Sequence, residues 1–521
     1  MKHIHLPTCG VKKMLALLGC VIGRLLAEAP VDVGHRLELF VDNYLIEHLD
    51  GVEFRLHEPH VAETSLTFDR AWEGNTSGYA SVIKVGKKYR MYYRGHSLPK
   101  YALANQVRSG EVIVPEHVEV VCAVESLDGI HWERPNLGLY EFNGSKENNI
   151  VWMGQGTHNF APFLDANPDT PPDQRYKAVA SFRPKKNEPS AADLSSNQAQ
   201  FSYFQQEQAR PALYYFVSPD GLNWKRGSEA PIITDGYFDS LNVAFWDEVR
   251  SEYTAIYRDF DRGIRTFKYS HSKDFKTWSA GRWADFGSAP LFHLYTNAAT
   301  PYFRAPHIYL AIPRRYLPWK TFFKEMDQDT PGSSDAILMS SRNGINWHVF
   351  PEAFIRPGLN GRNWSHRANT PVHGIIQTSD TELSIYMERE YTFASNRIER
   401  LTLRTDGFVS IHAGYPGGEF RTKPFIFDGS QLLLNYSTSA NGSVRIEIQS
   451  ENGQPIPGFH LEESPLIFGD EIKGIVDWGH AKGITDRSPI EALAGKTVRL
   501  RVVMREADLY SIQFSKPKSR D

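Results

Sequence analysis

The sequence predicts an all-β protein, a five-bladed β-propeller followed by a C-terminal β-sandwich. Three observations carry that expectation. A seven-residue phrase recurs as SLDGIHW (Ser126 to Trp132), SPDGLNW (Ser218 to Trp224) and SRNGINW (Ser341 to Trp347), with a looser copy, SKDFKTW, from Ser272 to Trp278. Each copy follows a run of short apolar segments that read as antiparallel strands. Beyond about Glu419 the apolar residues alternate and turn signals come at shorter intervals, as in a sandwich.

The recurring phrase has a physical reading. Asp-Gly or Asn-Gly between apolar runs is a strong hairpin signal, because both turn residues must tolerate positive φ. Its Ser and Asp side chains are suited to tying down turn amides, and its Trp to filling the space between neighbouring sheets. One such hairpin means little; four with one internal spacing signal a repeat architecture.

Taken in order, LELFVDNYLIE (Leu37 to Glu47) is a strand that either completes the last blade or clamps the outside. The first blade runs from SGYASVIKVGKKYRMYYRG (Ser77 to Gly95), a hairpin turning at Gly86, through VEVVCAVESLDGIHW. THNFAPFLD, RYKAVASF and ALYYFVSPDGLNW make a second; DSLNVAFWD to SKDFKTW, a third; TPYFRAPHIYLAIPRRY to SRNGINW, a fourth. The fifth, ANTPVHGIIQTSDTELSIYMERE with RIERLTLRTDGFVSI, has a turn at Thr405, Asp406 and Gly407 without the Ser and Trp. The phrases are unevenly spaced, which insertions at Arg183 to Arg210 and Leu317 to Ser334 would explain. These limits place the propeller at residues 30–415 and the sandwich at 416–516.

The first residues show basic Lys12 and Lys13, an apolar run from Met14 to Ile22, and small Ala27 and Ala29. That is a secretory layout, assigned to residues 1–29 and implying a secreted or periplasmic protein. Ala27 is the better cleavage position because Pro30 hinders the other. The apolar run is too short to span a bilayer, and no later stretch reads as a membrane span.

Composition narrows the function classes. A formal charge of −3 over 521 residues lacks the basic surface that phosphate binding needs, which argues against nucleic acid as a partner. The 11 Trp, 24 Tyr and 30 Phe suit both a β core and aromatic platforms for sugar rings. Of three cysteines, Cys9 and Cys20 fall in the leader, leaving Cys122 with no partner for an internal disulfide. No His or carboxylate spacing marks a metal site, and no cofactor is implied.

Arginines recur at comparable places: Arg94 after YRMYY, Arg258 after TAIY, Arg314 and Arg315 after YLAIP, and Arg367 in NWSHRAN. They either brace loops or line an electropositive funnel that grips a carboxylate or sulfate on an acidic glycan. His158 and Asn242 are candidates for hydrogen bonds to sugar hydroxyls.

Five four-stranded blades followed by a sandwich resemble the glycoside hydrolases of families 32, 43 and 68. The phrases LFVDNYLIE, YRMYYRG, FDSLNVAFWD and PYFRAPHIYLAIPRRY are similar to a set of secreted bacterial proteins grouped with them. The resemblance implies a secreted glycosidase acting on poly- or oligosaccharides, with an Asp at the start of an inner strand as nucleophile or base. A second Asp and a Glu on later blades would complete the site. Asp239 in FDSLNVAFWD matches the second Asp. Where the first would stand the chain has Ser77 and Gly78, so Glu73 or Asp42 would substitute; in YMEREY, Glu390 is favoured over Glu388 as the acid. The missing Asp favours an alternative, a non-catalytic carbohydrate-binding propeller. The turn phrase also resembles the Asp-box of sialidases, though here Asp and Gly are adjacent.

Overall fold

A computed structural model describes residues 29–99, 115–182, 211–320, 332–365, 367–478 and 489–516. Residues 1–28 of the leader, the whole of the first expected insertion (183–210) and residues 321–331 of the second lie outside the described residues. Strands dominate, and among the described residues only short 3-10 turns are helical. None is long and apolar enough to cross a membrane as a helix.

Five sheets form the propeller. Three have four strands each, running from Gly78–Val85 to Ile150–Met153, from Ala161–Leu164 to Lys225–Arg226, and from Val243–Asp247 to Arg282–Trp283. The fourth blade, from His293–Leu294 to Trp347–Ile355, carries six strands. The fifth takes its outer strand from far upstream: His60–Thr67 pairs antiparallel with Arg397–Arg404. The ring is therefore closed by a strand that precedes the first blade.

The recurring phrase is the seam between blades. In the second blade, Ser218 Oγ accepts from Gly221 N at 2.9 Å. Asp220 Oδ1 accepts from Leu222 N and Asn223 N, both at 2.8 Å. Gly221 has φ 74°, and a side chain there would meet Arg90 and Tyr92 of the preceding blade at 2.5 Å. Phe275 takes the glycine's place in the looser copy and is held at φ 64°. Three of the four Trp pack edge-on against an aromatic of the preceding sheet: Trp132 on Tyr386, Trp224 on Tyr92 and Trp347 on Phe267, with centroids 5.7, 6.2 and 5.5 Å apart, whereas Trp278 packs on Phe275 of its own turn. Tyr92 also donates to Gly221 O at 2.9 Å, so the seam is stitched by a hydrogen bond as well as by burial.

The last sheet has ten strands, built on the long pair Gln431–Ser450 and Thr497–Ser515. Four N-terminal strands between Val31 and Leu56, and Val409–Ala413, belong to it too, so it begins before residue 416 and draws in residues that sequence reading assigned to the propeller. The expected strand Leu37 to Glu47 is split. Leu37–Leu39 pairs with Thr497–Ser515, and Ile46–Asp50 with Gly418–Thr422. It clamps the outside and does not complete the last blade, whose edge is already filled by His60–Thr67. Leu39 and Val41 pack with Leu310, Leu338, Ile385 and Leu403, joining the C-terminal sheet to the fourth and fifth blades through one buried cluster.

The seam makes a prediction. Asp220→Ala removes the acceptor of two backbone amides and of Asn223, and should lower unfolding free energy by about 1–2 kcal/mol. A urea titration with unchanged slope checks it.

Candidate functional site

The first strands of the blades lie nearest the axis, where Ser81 and His373 form a parallel bridge between blades one and five. The segments leading into these strands are irregular, so their backbone polar groups need partners. A buried Asn in each of four blades supplies them. Asn159 donates to Phe238 O and Ser240 O at 2.8 Å, and Asn242 donates to the same two carbonyls at 2.9 Å. Asn242 Oδ1 accepts from Arg258 N at 3.0 Å, and Ser181 adds a third bond to Phe238 O at 3.0 Å. Asn297 and Asn369 hold the equivalent loops of blades three to five. Asp239 thus sits on a loop whose flanking carbonyls are fixed from two blades.

These loops meet in a cavity of about 120 Å³. Tyr79, His158, Asp239, Tyr295 and Arg367 reach it from the approaches to the five first strands, one per blade. Arg94 and Glu388, near the ends of the second strands of blades one and five, line it with Tyr391.

Two guanidinium groups, those of Arg94 and Arg367, line the cavity, and Arg258 and Arg314 contact its lining residues. Arg94, itself buried, donates to Thr76 O at 2.7 Å and to Tyr391 Oη at 3.1 Å, and lies 3.6 Å from Glu119. Arg314 donates to Thr370 Oγ1 at 2.6 Å and to Arg367 O at 2.9 Å. Arg258 Nη2 reaches Asp239 Oδ2 at 3.2 Å. Arg94 Nε, Arg258 Nη1 and Arg314 Nε are buried and make no hydrogen bond with a described residue. Unsatisfied donors of this kind are costly and point to an acceptor supplied from outside.

His158 bridges two carboxylates. Its Nδ1–H donates to buried Glu119 at 2.8 Å, which turns Nε2 toward Asp239, 3.8 Å away. Burial would raise the Glu119 carboxyl, but His158, His96 and Arg94 outweigh it and hold the group well below the carboxylate range. A buried anion orienting an imidazole is an arrangement used for proton transfer.

Glu388 is the opposite case. It is 4% exposed and Oε1 makes no hydrogen bond. Burial pushes its carboxyl up to about 8, against the pull of Arg314, Arg94 and the Tyr79 amide. Gly78 leaves it room, since a Cβ there would stand 2.3 Å from Glu388 Oε2. The glycine that occupies the expected Asp position is therefore a consequence of the glutamate opposite it.

Of the residues singled out from sequence, Asp239, Arg94, His158 and Arg367 line the cavity, with Arg258 braced against Asp239. The others are elsewhere. Glu73 is enclosed by Arg134, at 2.9 Å to both oxygens, and by Tyr93 at 2.5 Å. Asp42 is bound by Arg342 at 2.7 Å near the turn of blade four. Glu390, favoured as the acid, accepts from Asn360 at 2.5 Å and is paired with Arg397. Its strand ends at Arg389 and its own φ is 55°, so the alternation that would put it beside Glu388 is broken. Asn242 is wholly buried in the loop frame. Arg315 is paired with Asp335 at 2.7 Å, while its neighbour Arg314 turns inward, as alternation along a strand requires. Tyr79, Tyr295 and Tyr391 were not singled out, because in a chain with 24 tyrosines none carries a local mark. Among the described residues no group of three or more His, Cys, Asp or Glu is placed to hold a metal ion.

No family model and no curated protein matches the chain. Among solved structures, it is similar to an N-acetylgalactosamine deacetylase from F. plautii at 12% identity and TM-score 0.41, covering 68% of this chain and 96% of that one. It is similar to a beta-1,2-mannobiose phosphorylase from Listeria innocua at 10% and 0.41, covering 65% and 94%. A glycoside hydrolase family 43 arabinoxylan arabinofuranohydrolase from Bacillus subtilis matches at 10% and 0.38, covering 86% and 97%. Likeness at this level says nothing of substrate or reaction.

The Glu388 environment predicts a pH-dependent stability. A folded-state value raised from 4.5 to about 8 means that the native protein holds a proton the unfolded chain releases, so stability falls as pH rises through that window. Glu388→Gln keeps the shape and removes the titration. Its melting temperature should match wild type at the acid end and exceed it at the alkaline end; a pH-independent offset would contradict the assignment.

Proposed function

We propose that the chain is a glycoside hydrolase whose funnel cavity binds an anionic sugar unit of a poly- or oligosaccharide. The observation that carries this reading is the meeting, at one cavity, of a carboxyl held protonated near neutrality with arginines whose buried N–H groups find no acceptor among the described residues. Hydrolysis of a glycosidic bond needs a proton donor for the leaving oxygen and a second carboxylate. Glu388 is the donor and Asp239, exposed at the mouth and steadied by Arg258, is the base that takes a proton from water. The planar guanidinium of Arg367 and the orphaned donor of Arg94, both on the cavity wall, suit a sugar carboxylate or sulfate.

The purified full chain should release reducing ends from glycans that contain uronic acids or sulfate esters, and not from their neutral counterparts. Asp239→Asn and Glu388→Gln should each lower kcat by about 10²- to 10⁴-fold with folding intact. Arg367→Ala should raise KM by about 10- to 100-fold, the worth of one hydrogen bond to a charged group. Retention of acidic glycans without cleavage would make the protein a carbohydrate-binding propeller, and cleavage of neutral glycans alone would remove the anionic substrate.

A further inference from the structure

The cavity contains a group that the acid–base pair does not use. Tyr295 follows the strand His293–Leu294, and its main chain is fixed on both sides: its N–H donates to Arg314 O at 2.7 Å and its carbonyl accepts from Ser240 Oγ at 2.5 Å. Its side chain lines the cavity and its hydroxyl makes no hydrogen bond with a described residue.

Its surroundings are unlike those of four other buried tyrosines. Tyr93, Tyr253, Tyr257 and Tyr302 each donate to a carboxylate, Glu73, Asp165, Asp235 and Asp406 respectively, and their phenols are raised. Around Tyr295 the charges are inverted. The Arg314 guanidinium lies over its ring at 3.9 Å, Arg258 at 5.1 Å and Arg265 at 5.2 Å. Arg367 shares the cavity wall. The opposing groups are Asp239, Tyr79 and Tyr316, the last edge-on at 6.2 Å. Burial alone would raise the Tyr295 phenol, but Arg367, Arg314 and Arg258 outweigh burial and Asp239, and hold it below its ordinary value. Tyr79 beside it goes well above, chiefly through burial and then through Tyr295 itself, so that one phenol of the pair keeps its proton.

We propose that Tyr295 is the nucleophile of this site, a phenolate that attacks the anomeric carbon and forms a glycosyl–tyrosine intermediate. The proposal rests on the hydrolase reading above. In the first step the Tyr295 oxygen forms a bond to the anomeric carbon, the bond to the leaving oxygen breaks, and that oxygen takes the Glu388 proton. In the second step water gives a proton to Asp239, its oxygen bonds to the anomeric carbon, and the phenolate leaves with its electron pair. Two displacements at one carbon retain its configuration. The cation cluster that binds the anionic sugar also makes the phenol a competent nucleophile and leaving group.

Two experiments test this and separate it from the hydrolase reading. A spectroscopic pH titration of phenolate absorbance, on the full chain without ligand, should show one phenol ionising ahead of the ordinary tyrosine range. That step should be missing from Tyr295→Phe; superimposable titrations would overturn the proposal whatever the protein cuts. On an acidic glycan that is cleaved, Tyr295→Phe should lower kcat by about 10²-fold or more with little change in KM, and the sugar released by wild type should keep its anomeric configuration by NMR. Inversion, or Tyr295→Phe activity near wild type, would overturn the nucleophile and leave the hydrolase standing. An early-ionising Tyr295 in a protein that cuts no glycan would overturn both.

Discussion

Everything at the axis depends on the fifth blade being closed by a strand that is not its own. Arg397–Arg404 would otherwise present an open row of amides and carbonyls, and the ring would be free to spread at that point. With His60–Thr67 paired there, the first and fifth blades are held against each other, and Trp132 can seat on Tyr386. The contact that matters chemically is made across this same joint: Glu388 of the last blade lies over Gly78 of the first, in the space that a side chain would have filled. A loosened ring would cost the site its buried carboxyl before it cost the blades their cores.

The electrostatics of the cavity follow from how the blades are used. First strands are approached by irregular loops, which carry tyrosine, histidine and aspartate. The second strands contribute Arg94, Arg258 and Glu388, and the start of Arg314–Leu317 contributes Arg314. Elsewhere the protein matches its buried cations with carboxylates, as Arg134 with Glu73 and Arg304 with Asp406. At the axis that matching is only partial: Arg94 faces Glu119 and Arg258 reaches Asp239, but each keeps a donor unmet. Glu388 is too deeply buried to ionise readily, Asp239 sits at the mouth, and several arginine donors are left without acceptors. An incomplete set of partners in an otherwise well-satisfied interior is what a ligand completes.

The architecture was readable because its seams are local. A Ser, an Asp or Asn, a residue at positive φ and a Trp within seven positions do one job at each blade boundary, and the spacing survives insertions elsewhere. The destination of Leu37 to Glu47 was not readable, since its partners are strands more than 370 residues away and nothing in its own pattern names them. In the cavity, Asp239, Arg94, His158 and Arg367 stand at recognisable places, just before a first strand or at the end of a second. Glu390 was favoured over Glu388 without support from the pattern, because a strict two-residue period puts both on one face, and only the turn of the chain at residue 390 separates them. Arg314 and Arg315 posed the same choice, decided by which of two adjacent residues the pleat turns inward. Tyr295 was invisible for another reason: what distinguishes it is the company of arginines from four other segments.

The pairing of the first strands with the last has a consequence for how the protein is made. A chain emerging from its N-terminus displays Leu37–Leu39 and His60–Thr67 early, yet their partners are Thr497–Ser515 and Arg397–Arg404. During synthesis those edges wait while four blades form, and the contacts that complete the structure are among the most distant in sequence. Such long-range β pairing is slow and leaves sticky strands exposed. Glu63, the one carboxylate on His60–Thr67, finds its partner Arg400 only when the fifth blade arrives, and until then it is a charge on an open edge of the kind that opposes edge-to-edge pairing.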